Sequence, residues 1–556
     1  MNIELQRGVE PRRILWWRGP GRWVLRFTFC ALVPVLAGCF RLEEPANLTI
    51  INGPEPESLD PALVTAVADG RIVASMFEGL TRFKPETATP EPGLAERWDI
   101  SHDGRVYTFH LRTNATWSTG ESITAAEVAY TWRRILDPAT GCVYSGLLFY
   151  IKNAAAFATG QIKEPDALGF KAVDPHTFRV ELNDPTPFFL DICALPALGV
   201  VPRHAIEKHG DRWVMVHPVP ASGAYELDAW RLNDKIRLRK NPRYWDAENT
   251  RSEVIDLLRC AAASTALNLY ETRQADIIWD KELLPLELMD LLRQRPDFHG
   301  SDYLGTYFIR FNVTRKPFDD VRVRKALALA IDKRHIVSKV LKAGEKVAEH
   351  LVPPGVPSYT SPLGLEFNPA EARRLLAEVG YGGGQDFPRF HYMYNNTGKS
   401  HEQIAVELQA LWKRELGIHV ELRNLDSQIY LNAQARLDYD VCRSSWIGDY
   451  NDANTFLDVF ASASGNNRTG WKHARYDRLL REANARMDSQ ARAKLLQEAE
   501  ALLIRDEVPI VPLYIYAALE CYDATRIRGI HSNVRGEHPL RAIGKVGGPN
   551  STSAKR

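Results

Sequence analysis

Arg443-Ser444-Ser445-Trp446-Ile447-Gly448-Asp449-Tyr450-Asn451-Asp452 is the stretch on which the reading of this chain turns. It puts a guanidinium, an indole and a carboxylate on a segment that reads as a strand broken at Gly448. A free peptide has a cation at one end, an anion at the other and polar backbone between, and this stretch has a complement for each. Asp449 reads as the partner of a ligand ammonium, Arg443 as a candidate partner for a carboxylate, and Trp446 as an apolar wall. In a closed, dry cleft such charges must be paired, because truncating one strands the other at a cost of about 3–5 kcal/mol. Each residue also has a plainer reading. An Asp after Gly is commonly a turn residue capping local amides, a strand Arg is commonly solvated or structurally paired, and a Trp is commonly core.

Outward from that stretch, size and composition narrow the choice. The chain has 556 residues and a net charge of +1. That length exceeds one ordinary core and implies two or three domains. Balanced charge advertises neither nucleic acid nor a strongly acidic partner. A 10% aromatic content with 13 Trp suits aromatic-lined cavities as well as cores. At the N-terminus, Arg12, Arg13, Arg18, Arg22 and Arg26 precede a short apolar run, 27–36, that ends in Leu36-Ala37-Gly38-Cys39. This is a signal-peptide pattern, too short to span a bilayer; an uncleaved anchor with an incidental Cys is the other reading. Cys142, Cys193, Cys260, Cys442 and Cys521 lie far apart with no C-x-x-C, which argues against a metal site or a disulfide framework but leaves one or two bridges open.

Local signals give an α/β class. Leu48-Thr49-Ile50-Ile51-Asn52 reads as a strand, 72–80 as a helix stopped by Gly79, and Asp103-Gly104 as a hairpin turn before the alternating strand 106–112. Thr124-Ala125-Ala126-Glu127 is a capping box opening a helix. Strands are expected at 175–182, 236–240 and 418–422. Helices are expected at 321–331 with a solvated Arg/Lys face, at 370–379 closed by Gly380, at 404–416 closed by Gly417, and continuously over 476–503.

The order of several segments resembles the periplasmic oligopeptide-binding proteins, the extracytoplasmic solute-binding components of ABC peptide importers. The segments are Pro56-Glu57-Ser58-Leu59-Asp60-Pro61, Phe77-Glu78-Gly79-Leu80, Trp117-Ser118-Thr119-Gly120, Lys240-Asn241-Pro242-Arg243-Tyr244-Trp245, Phe318-Asp319-Asp320-Val321-Arg322 and Trp446-Ile447-Gly448-Asp449-Tyr450-Asn451. The resemblance implies a two-lobed fold with a hinge and an additional third domain. The first domain would be discontinuous (41–79, 203–304, 515–545), with 80–202 as the extra domain, 305–514 as the second lobe and 546–556 as a polar tail. Chain crossings would fall near 303–307 and 512–516. Separately, Leu36-Ala37-Gly38-Cys39 resembles the lipobox of bacterial lipoproteins, which implies that residues 1–38 are a lipoprotein signal peptide cleaved before an acylated Cys39, with 39–45 as a tether.

The same resemblance implies site roles. Asp449 would hold a peptide ammonium beside Trp446. Arg443 and His401 would meet carboxylates of peptides of different length. Tyr270 and Tyr144 would line the cleft, and backbone near 65–67, including Val67, would pair with the peptide as an added strand does. Some relatives carry cysteines where this chain has Ile447 and Gly305. The implied protein is a monomeric, lipid-anchored binder in the periplasm or cell envelope that passes short peptides to an ABC permease, without cofactor, metal or nucleic acid. The other readings are a same-fold binder of a dipeptide, murein peptide, nickel chelate or oligosaccharide, or a peptide sensor. No nucleophile elbow, Walker loop or dinucleotide fingerprint occurs, and His401-Glu402 lacks a second zinc ligand because position 405 is Ala; an enzyme is not expected.

Overall fold

The computed structural model describes residues 43–396 and 399–547. The expected signal peptide and Cys39 lie outside them. The chain divides into Met1–Pro45 and Ala46–Arg556, and the architecture below is that of the second unit.

One large mixed sheet organises it. The strand order is Val420–Leu425, Phe390–Asn395, Val441–Ile447, Phe298–Phe311, Ile510–Tyr522, Ile277–Ile278, Leu48–Gly53, Val254–Arg259, Lys235–Lys240 and Tyr225–Arg231. The long antiparallel strands Phe298–Phe311 and Ile510–Tyr522 join the two halves. Their pairing shifts register between Asp302 and Thr306. N-terminal to that break the ribbon continues into the half containing Ile277–Ile278, and C-terminal to it into the half containing Val441–Ile447. The molecule is therefore two-lobed, with a two-stranded ribbon between lobes. A separate four-stranded antiparallel sheet, Ala95–Ile100, Val106–Leu111, Thr177–Glu181 and Phe170–Asp174, lies between the first strand and the rest of its lobe in sequence.

The cores follow from strand period and helix cover. In the second lobe, Tyr307, Ile309 and Phe311 enter one apolar cluster while Phe308 and Ile510 enter another. A strand buried on both faces needs cover on both faces. One cover is the helix Lys399–Leu416, whose Trp412 is fully buried. It links the parallel strands Phe390–Asn395 and Val420–Leu425 in a crossover and stops at Gly417, which has φ +72°. In the first lobe, one cluster runs from Leu48 and Ile50 to the four-stranded sheet, where Trp132 meets Phe178 edge-on at 5.1 Å.

Three local expectations need correction. The first helix is Val67–Met76, not 72–80, and Phe77 is already extended. Gly79 does not stop it: a Cβ there would sit 2.2 Å from the Cys193 carbonyl oxygen, so that glycine permits a close backbone approach. The helix Val321–Leu329 does not carry all its cations in solvent. Arg324 is buried and donates to the carbonyls of Phe318, Asp319, Glu507 and Val508. The segment 476–503 is two helices, Ala474–Asn484 and Ser489–Ala501, because Asp488 accepts from the Ala491 amide and starts a new one. The capping box at Thr124 and Glu127 is present as expected.

The five described cysteines are buried free thiols.

Candidate ligand-binding cleft

The strand Val441–Ile447 pairs with the ribbon so that Thr306 faces Trp446 and Gly305 faces Ile447. Gly448 then donates its amide to Leu304 O at 2.7 Å. A Cβ on Gly448 would come 2.8 Å from the Leu304 side chain, so only glycine lets the chain turn this close to the ribbon. That turn delivers Asp449 to the gap between lobes. Its amide donates to Thr455 Oγ1 at 3.1 Å and its carbonyl accepts from Arg535 Nη1 at 3.0 Å. Among the described residues no hydrogen bond or ion pair engages its carboxylate. The side chain therefore caps nothing, which removes the turn-residue reading. Burial raises the Asp449 carboxyl to about 6, with Arg535 pulling it back. The second acid of the stretch is used up: Asp452 takes Arg492 in a fork at 2.7 and 2.8 Å.

The gap is a cleft of about 1190 Å³, above the roughly 300–1,000 Å³ of small-molecule pockets. Trp446 and Asp449 line it from the second lobe, and Val67, Arg71, Glu78, Tyr144 and Tyr150 from the facing side. Val67 opens the first helix and is 54% exposed. The Tyr144 hydroxyl is raised by burial and then by the Asp449 carboxylate, which puts the two within electrostatic reach. Glu78 accepts from Tyr244 Oη and from Trp245 Nε1, so two of the segments that carried the resemblance meet at one wall.

Arg443 and His401 are brought together, but not among the residues lining that cleft. Arg443 Nη2 lies 3.0 Å from His401 Nε2, with the guanidinium 5.3 Å from the Tyr307 ring centroid. Burial, then Arg443 and Lys281, lower His401 to about 3. The imidazole is thus neutral and accepts from Arg443. Arg443 Nε and His401 Nδ1 are left buried without a partner, an arrangement that calls for an acceptor. Tyr270 corrects its expectation. It is buried in a separate apolar cluster with Cys260 and Cys521, and its hydroxyl donates to Asp297 Oδ2 at 2.9 Å. It lines no cleft.

A family model described as bacterial extracellular solute-binding proteins, family 5 (middle), matches residues 89–468. The chain belongs to that family. This family 5 protein is 35% identical to the periplasmic oligopeptide-binding protein OppA of Salmonella typhimurium, over 86% of this chain and 88% of that one. It is 36% identical to the probable deoxycholate-binding periplasmic protein YgiS of Escherichia coli, over 83% and 86%. The solved Haemophilus influenzae OppA complex with RPPGFSPFR superposes with a TM-score of 0.77 at 30% identity, covering 91% of this chain and all of that one. The family consists of solute-binding transport proteins. No helix among the described residues is long and apolar enough to cross a membrane.

Within the family 5 fold, the departure at Gly305 and Ile447 acquires a physical form. The two are directly opposite, and a Cβ on Gly305 would lie 2.4 Å from Ile447 Cδ1. The isoleucine occupies the space above the glycine. Sequence reasoning missed Arg535, which is buried, donates to Glu537 at 2.8 Å and stacks 4.3 Å from the Phe83 ring centroid. It also missed Asp458 and Tyr150. No short motif marks them; they become neighbours of the site only through tertiary packing.

Proposed function

We propose that this family 5 protein captures short peptides between its lobes and hands them to an ABC permease. The observation that carries this is the Asp449 carboxylate, held in the cleft wall beside Trp446 with no hydrogen bond or ion pair to it among the described residues, Arg535 acting on it only through its charge. An ammonium completes it; a solute with only a carboxylate gains nothing from it, which disfavours a bile-salt-like ligand. Trp446 and Tyr144 supply apolar wall, and the backbone at 65–67 supplies main-chain groups that pair regardless of side chain. Arg443 with His401 offers donors to the carboxylate of a peptide long enough to reach them. Binding and release are the whole task, with no covalent chemistry on the solute. Residues 41–79, 203–304 and 515–545 would move as one lobe with 80–202, against 305–514. The protein would act as a monomer in the cell envelope, held by an acylated Cys39.

Free tripeptides bind at least about tenfold more tightly than their N-acetylated forms, because acetylation removes the cation that pairs with the buried Asp449 carboxylate. Calorimetry on matched pairs reads this directly, and equal dissociation constants defeat the assignment.

A further inference from the structure

Asp458 is a second acid in the same cleft wall that no described residue pairs with. It lines the cleft together with Val459, Ala461, Ala463, Ser464 and Gly465, small residues that leave room beside it. Among the described residues no cation or donor engages its carboxylate, and burial is the one cause acting on its ionisation. Next to it in the chain, unpartnered amide oxygens occur as well. Asn454 lies at i,i+4 on the same helical segment and is fully buried, yet its Oδ1 has no partner; neither has Asn451 Oδ1. Asn454 Nδ2 is already spent on the Tyr450 hydroxyl at 3.2 Å, which itself pairs with Tyr150 at 3.2 Å. Buried polar groups are as a rule satisfied, so a carboxylate in the wall of a roomy cleft with no hydrogen bond or ion pair among the described residues marks where a cationic group of the ligand belongs.

The spacing says which cation. Thr455 Oγ1 accepts the Asp449 amide, and Asp458 follows Thr455 by three residues, about one helical turn of 5.4 Å. Both acids therefore belong to neighbouring parts of one cleft wall, an arrangement that suits a ligand residue carrying two cations, its α-ammonium and a lysine, ornithine or arginine head. Tyr150 feels both acids: after burial, Asp458 and then Asp452 and Asp449 raise its hydroxyl.

We propose that Asp458 forms a subsite for a basic side chain on the first residue of the bound peptide, so that the cleft selects ligands with two cations at their N-terminal residue. The inference rests on the peptide reading of Asp449 and is tested so that the two can fail separately. Lys-Ala-Ala, norleucine-Ala-Ala and Ala-Lys-Ala are titrated into the full protein by calorimetry. The first binds about tenfold or more tighter than the second, the value of one hydrogen bond to a charged group. In Asp458→Asn that ratio falls to about one, and in Asp458→Glu part of it returns. The ratio is taken within each variant, so a loss of folded protein cancels. A ratio near one in the wild type, a ratio that survives Asp458→Asn, or the same gain with Ala-Lys-Ala overturns the subsite while norleucine-Ala-Ala still binds. If none of the three peptides binds, the peptide reading falls and the subsite with it.

Discussion

Asp449→Ala lowers the affinity for free peptides by two to four decades and leaves N-acetylated peptides nearly unaffected, erasing the difference between them. The basis is the cost of leaving a buried ammonium without its counter-ion, about 3–5 kcal/mol. The wild-type affinity also depends on pH, with a sign set by the ligand-free cleft. Burial raises Asp449 from 3.8 to about 6, so below that value the empty site carries a proton that the incoming ammonium must displace. Affinity therefore drops as pH falls through 6, by up to about tenfold per pH unit. At the other limb it drops again as the peptide amine, with its usual value of about 7.7–8.0, loses its charge. In Asp449→Ala the acid limb disappears and the alkaline limb shrinks with the preference itself. Calorimetry between pH 4.5 and about 9 separates the limbs, a range that brackets both titrations. An acid limb retained in the variant would assign the titration to another group.

Asp60→Ala destabilises the first lobe by about 3–5 kcal/mol. Asp60 is 1% exposed and is the hub of the Ser58-Leu59-Asp60-Pro61 segment. It receives Arg134 in a fork at 2.9 and 2.6 Å, the Trp213 indole N–H at 2.8 Å and the Ala62 amide at 3.0 Å. The carboxylate ties the loop after the first strand to the helix Ala125–Leu136 and to the turn Gly210–Met215. Removing it leaves a largely buried guanidinium and an indole N–H with no acceptor. Denaturant unfolding reads the change as a lower midpoint. Adding Arg134→Met restores part of the loss, because the stranded charge, more than the missing attraction, drives the cost. A double variant as unstable as the single one would place the cost in lost packing instead.

What could be read from the sequence is what depends on near neighbours in the chain. Thr124 and Glu127 cap across three residues, and Gly417 ends its helix by its own backbone freedom; both were visible. Arg324 was not, because its acceptor at Glu507 is 183 residues away and its own surroundings read as an amphipathic helix. Tyr270 failed for the same reason: Asp297, 27 residues on, claims its hydroxyl. The candidate site divided along that line. The approach of Asp449 and Trp446 to one cleft was legible because a strand, a glycine and a turn fix them locally. Arg535 and Asp458, equally part of the cleft wall, joined it through packing that no short pattern announces. The break at Asp488 is the exception, a local cap signal present in the sequence but masked by the helix-forming residues on either side.

The buried thiols have a practical consequence. Cys142 and Cys193 sit in the core of the first lobe, Cys260 and Cys521 share a separate small cluster, and Cys442 lies in a buried cluster of the second lobe with Met393 and Tyr430. An alkylating reagent reaches each only when its own neighbourhood opens. Labelling followed by peptide mapping therefore timestamps the breathing of each region separately, with no engineered probe, and shows which part of the molecule a bound solute quiets first.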